Sequence, residues 1–134
     1  MKRLACFASV LIWGIVPQLN AGQCSNADLR GTYSFVASGA FGVATFAAAG
    51  HSVFDGQGSV AGVIRISLNG NVTPAIAWTG SYAVDPENCT IAKTANIPGV
   101  ATVHFFMTPA AAFRELRFII TDPTTTISGT AKKQ

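Results

Sequence analysis

The sequence predicts an all-β domain: a single antiparallel barrel of about eight strands, with a β-sandwich as the alternative. Three observations lead there. Bulky apolar residues alternate with small or polar ones at a period of two in segment after segment. Clusters of Gly, Pro, Asn and Asp punctuate the chain at roughly ten-residue intervals. No useful length of chain keeps apolar residues at i, i+3, i+4 and i+7, the spacing an amphipathic helix needs.

The chain begins with a segment of different character. Lys2 and Arg3 precede an almost unbroken apolar run, Leu4 to Val16, followed by Pro17 and then Leu19, Asn20, Ala21 and Gly22. A basic start, an apolar stretch too short to span a bilayer comfortably and small residues after a helix breaker describe a secretory signal peptide. Cleavage is expected after Ala21 or Gly22. Residues 1–22 are therefore read as the signal peptide and 23–134 as one barrel domain, exported to the periplasm or beyond, with no stable membrane span once the leader is removed.

Within 23–134, strands are expected near 31–38, 47–54, 59–68, 74–84, 89–96, 100–107, 114–121 and 126–131. Tyr33 and Phe35 oppose Thr32 and Ser34 in the first, and the second leads into Phe54. In the third, Val60, Ile64, Ile66 and Leu68 share one parity against Ser59, Ala61, Arg65 and Ser67. The clearest is the fourth, where Ile76, Trp78, Tyr82 and Val84 alternate with Ala75, Ala77, Thr79, Ser81 and Ala83. Leu116, Phe118 and Ile120 repeat the pattern against Glu115, Arg117 and Thr121. Asp55-Gly56-Gln57-Gly58, Asn69-Gly70-Asn71, Asp85-Pro86-Glu87-Asn88, Pro98-Gly99 and Asp122-Pro123 supply the turns. Thr108-Pro109-Ala110-Ala111-Ala112 suits a single helical turn. Gly31, Gly80 and Gly129 each precede a hydroxyl residue inside an expected strand, and glycines so placed mark the bends that barrel closure requires.

Charge narrows the function classes. The 134 residues carry 9 Lys+Arg and 6 Asp+Glu, a net charge of +3, with an isoelectric point near 9.0. Without the leader, seven basic residues (Arg30, Arg65, Lys93, Arg114, Arg117, Lys132, Lys133) face six acidic ones (Asp28, Asp55, Asp85, Glu87, Glu115, Asp122), a net charge of +1. No basic stripe interleaved with aromatics remains, so no nucleic-acid partner is expected.

Cys6 falls in the leader, which leaves Cys24 and Cys89. A pair in an oxidising compartment is most simply a disulfide. Closing so long a loop contributes about 4 kcal/mol on the chain-entropy view.

Several segments resemble a family of small exported bacterial β-barrel proteins marked by an FDGxG hairpin. They are Cys24-Ser25-Asn26-Ala27-Asp28-Leu29-Arg30-Gly31-Thr32-Tyr33, Ala47-Ala48-Ala49-Gly50, Phe54-Asp55-Gly56-Gln57-Gly58-Ser59-Val60, Asn69-Gly70, Gly80-Ser81-Tyr82-Ala83-Val84 and Ile127-Ser128-Gly129-Thr130-Ala131-Lys132-Lys133-Gln134. The likeness covers nearly all of 23–134; it implies export and a β-barrel and assigns no chemistry. Gly31-Thr32-Tyr33 is more loosely similar to the Gly-x-Trp of lipocalin-type barrels, with Tyr in place of Trp.

Candidate site residues are few. The apolar, glycine-containing stretch from Gly39 to Phe46 reads as a connector in which Phe41, Val43 and Phe46 cover something, as a plug, a lid or a contact patch. Tyr33, Phe41, Phe46, Trp78, Tyr82, His104, Phe105 and Phe118 are the candidate ligand-binding residues, and alanines at 47, 48, 49, 75 and 77 leave room for a cavity. His51 and Asp55 stand about 13 Å apart along one strand, too far for a shared site. Neither histidine has a carboxylate at a telling spacing, so no metal, cofactor or catalytic residue is assigned. Asp55, Asp85 and Asp122 read as turn formers, and Arg114 and Arg117 as solvated or stacked cations.

Three functions fit: an exported binding module for a small apolar ligand, a structural or protein-interaction domain, and a small cofactor-free cyclase or isomerase with His104 or Glu115 as its polar group. The enzyme has no direct support in the residues.

Overall fold

A computed structural model describes residues 23–134; the expected signal peptide lies outside the described residues. After a single 3-10 turn (Asn26–Asp28) come β1 (Arg30–Phe41), β2 (Ala44–Asp55), β3 (Ser59–Leu68), β4 (Asn71–Val72), β5 (Ile76–Val84), β6 (Ile91–Ile97), β7 (Ala101–Ala110), β8 (Glu115–Ile120) and β9 (Thr125–Lys133). Each long strand pairs antiparallel with the next, and β9 returns to β1. The eight long strands thus close an up-and-down barrel. The two-residue β4 only extends β3 through a tight hairpin, whose Asn69 (φ 51°) and Gly70 (φ 87°) take the positive φ that such a turn requires.

Alternation along the strands sorts the side chains. Burial repeats with a period of two on every long strand, most cleanly on β6, where Ile91, Lys93, Ala95 and Ile97 point inward. Most bulky side chains turn in and the small and hydroxyl ones turn out, with Val36, Val53, Phe106 and Ile119 as apolar exceptions on the outer face. This is the reverse of the apolar-out, polar-in arrangement of outer-membrane barrels. Among the described residues, no helix is long and apolar enough to cross a membrane.

One end of the barrel is sealed. Leu29 is fully buried beneath the 3-10 turn, and Tyr33, Phe54 and Tyr82 stack edge to face with ring centroids 5.4 and 5.1 Å apart. The Tyr82 hydroxyl donates to the Leu29 carbonyl at 2.7 Å, and that of Tyr33 donates to the Phe113 carbonyl. Cys24 and Cys89 lie at disulfide distance, Cα atoms 5.4 Å apart, pinning the N-terminal segment to the β5–β6 turn. The Asp55 carboxylate organises the β2–β3 turn, accepting from the backbone N–H groups of Gln57 (2.7 Å) and Ser59 (3.0 Å). These bonds hold its pKa below the usual carboxylate value.

Two sequence expectations are corrected here. Gly39 to Phe46 is not a connector: Gly39 to Phe41 continue β1, Ala44 to Phe46 begin β2, and only Gly42 and Val43 form the turn. Gly39 (φ 148°) lets β1 run on, because a Cβ there would fall 1.8 Å from the Thr126 carbonyl oxygen of β9. Val43 is fully exposed and covers nothing. Likewise, Thr108, Pro109 and Ala110 belong to β7, and the chain then turns through Ala111, Ala112 and Phe113, all at positive φ. The turn is left-handed, not a right-handed helix. Pro109 is accommodated because β7 has run past β6, whose last pairing is Ile91 with Met107.

Candidate functional site

The other end of the barrel is open to a cavity of about 290 Å³. Its rim is formed by Phe41 and Phe46 at the β1–β2 turn, Leu68, Val100 and the Asp122–Thr125 turn; its floor is Phe54, above the Tyr33–Tyr82 seal. Between them the wall consists of Phe35, Ile64, Ile66, Trp78, Val103, Phe105, Met107 and Phe118 with a few small residues. The space has a simple origin. Ala37, Ala48 and Ala95 occupy inward positions where larger side chains would fill it, and an eight-stranded barrel is just wide enough for side chains or one small ligand. Of the alanines expected to leave room, Ala48 lines the cavity. Ala47, Ala49 and Ala77 lie on the outward parity of their strands, and Ala75 precedes β5.

The rim is braced. The Thr45 backbone N–H donates to Asn69 Oδ1 (2.9 Å), the Asn69 N–H returns to the Thr45 carbonyl (2.9 Å), and the Gly42 N–H donates to the Thr124 carbonyl (2.8 Å). Asp122 accepts from the His104 backbone N–H (2.8 Å) and meets its ring Nδ1 at 2.7 Å. Partial desolvation pushes the Asp122 carboxyl up, but the His104 N–H, ring and charge outweigh it and hold the pKa below the usual value.

Among the described residues, Lys93 is the one charged side chain deep inside. It is 7 % exposed, and among the described residues no ion pair or hydrogen bond is made by its ammonium. Its Nζ lies 4.2 Å from the Phe105 ring centroid, 4.7 Å from Trp78 and 5.9 Å from Phe54. Burial pushes its pKa down to about 7, because a low-dielectric surround disfavours the charged form. Trp78 adds a second donor: its Nε1 is buried without a hydrogen-bond partner. Ser52, also buried, lines the same cavity.

The structure brings five of the eight candidate ligand-binding residues to this cavity: Phe41, Phe46, Trp78, Phe105 and Phe118. Tyr33 and Tyr82 do not line it; they seal the closed end, where burial raises both phenol pKa values. His104 is outside, its side chain 54 % exposed, because Val103, Phe105 and Met107 take the inward parity of β7. The expectation that it lacks a carboxylate partner is also corrected: Asp122, eighteen residues on, is brought to it by the β7–β8 hairpin. Glu115 faces outward and pairs with Arg117 at 3.5 Å. Lys93 escaped the sequence reading, although Ile91, Ala95 and Ile97 share its parity. That parity was the signal. Among the described residues no cluster of His, Cys, Asp and Glu could hold a metal ion. Comparison with family models, curated proteins and solved structures finds no match.

Proposed function

We propose that the domain is an exported binding module that holds a small apolar ligand inside its barrel. The observation that carries this reading is the open-ended cavity of about 290 Å³ with its almost wholly apolar wall. A packed barrel gains from filling its interior, so an accessible void represents forgone contacts that a ligand restores. The braced rim supports a preformed mouth, and preorganisation reduces the ordering cost of binding. Export is supported by the leader-like residues 1–22 and by the Cys24–Cys89 pair, which an oxidising compartment favours.

Trp78 reports on the cavity directly. In the full chain carrying Trp13→Phe it is the only indole. Its emission is expected to shift saturably with small apolar molecules that enter the cavity. Widening the void with Phe118→Ala should let larger probes saturate the same signal. No response to any member of a broad panel would remove the reading.

A further inference from the structure

A cavity meant only for hydrocarbon has no use for an ammonium. Lys93 is more than nine-tenths buried at the cavity floor, ringed by Phe54, Trp78 and Phe105. A methionine would fill the same space without the desolvation cost. The titratable groups on the surrounding elements offer it no anion. Tyr82, its cross-strand partner on β5, gives its hydroxyl proton to the Leu29 carbonyl. Tyr33 on β1 is likewise committed to Phe113, and Asp122 at the rim is held by His104. Trp78 Nε1 is a further buried donor without a partner. The buried polar groups lining the cavity are thus two donors, Lys93 and Trp78, and the neutral Ser52 hydroxyl, with no anion among them.

We propose that Lys93 is the counter-ion for the headgroup of a medium-chain monocarboxylate, bound with its carboxylate at the cavity floor and its alkyl chain running toward the rim of Phe41, Phe46, Leu68 and Val100. This rests on the reading of the cavity as a ligand site. One buried ammonium matches one negative charge; a dianionic phosphate would leave an uncompensated charge in a low-dielectric space. A cavity of about 290 Å³ has room for an alkyl chain of octanoate length, and octanoate serves as the probe. The charge-assisted pair also explains why the donors are deep: the polar end anchors, and the rim contacts only hydrocarbon.

The test is calorimetric titration of the full chain with octanoate, octan-1-ol and octylamine at pH 6 and pH 9. Octanoate is expected to bind at least tenfold more tightly than octan-1-ol at pH 6, with octylamine weakest. That preference should fall at least tenfold by pH 9, because the free ammonium, with a pKa of about 7, is then mostly neutral. In Lys93→Met and Lys93→Gln the preference and its pH dependence should vanish while octan-1-ol binding persists. Equal binding of octanoate and octan-1-ol overturns the counter-ion proposal and leaves the apolar-ligand reading standing. A preference that survives both substitutions also overturns it. Binding of none of the three overturns the counter-ion proposal, and silence of Trp78 across the broad panel would overturn the apolar-ligand reading as well.

Discussion

Lys93 puts an ionisable group into a largely apolar interior. Its ordinary pKa, near ~10.4 in an unfolded chain, is lowered to about 7 by burial. Below pH 7 the folded protein must bury the ammonium, a cost on the order of 5 kcal/mol, partly offset by its attraction to the nearby faces of Phe105 and Trp78. The sign follows from proton binding. Between about pH 7 and ~10.4 the unfolded chain holds a proton that the folded one has released, so stability rises with pH across that window. Lys93→Met should therefore be more stable than the parent, most of all at pH 6. The gap should narrow by about 2–3 kcal/mol on going to pH 9, as followed by urea unfolding at the two values. An unchanged gap would mean that the ammonium is solvated in the folded state. The sequence shows that Lys93 shares the parity of Ile91, Ala95 and Ile97, but which face turns inward, and how deeply, depends on seven other strands closing around it.

At the scale of the element, glycines let flat strands bend into a barrel. Gly80 on β5 lies opposite Ala95, and a Cβ there would stand 2.0 Å from the Thr94 carbonyl oxygen on β6. Gly129 meets the same obstacle from the Val36 carbonyl oxygen at 2.2 Å. Gly80→Ala should cost at least ~2 kcal/mol, because backbone from two strands must move apart, whereas Ser81→Ala on the exposed face should cost under ~0.5 kcal/mol. Paired denaturation curves check the contrast, and equal curves would remove the bend from the explanation. The sequence pattern Gly-hydroxyl at 31, 80 and 129 marked two of these interior bends, Gly80 and Gly129. It misread Gly39, whose apolar neighbours looked like a loop. The reason is that glycine serves turns and strand bends alike, and only the closeness of β9 distinguishes them.

Across the whole molecule, the barrel is closed at one end and open at the other, and the disulfide belongs to the closed end. Cys24 and Cys89 are 65 residues apart in sequence, so their bond restricts a long loop of the unfolded chain. Cys24→Ser with Cys89→Ser is expected to lower unfolding stability by about 4 kcal/mol and to abolish any response to reductant. Urea titrations of parent and variant, each with and without dithiothreitol, make the comparison. A parent indifferent to reductant in its unfolded state would show that the bond does not form.

The local signals set much of this in advance. A period of two, turn residues every ten or so positions and a Cys pair dictated eight strands, most of their limits and two chemically distinct faces, because these depend on neighbours along the chain. Which face turned inward was decided only by closure. So were the void left by Ala37, Ala48 and Ala95, the burial of Lys93 and the meeting of His104 with Asp122. Those depend on the circumference of eight strands and on hairpin register, distances set across the sheet and invisible along the sequence.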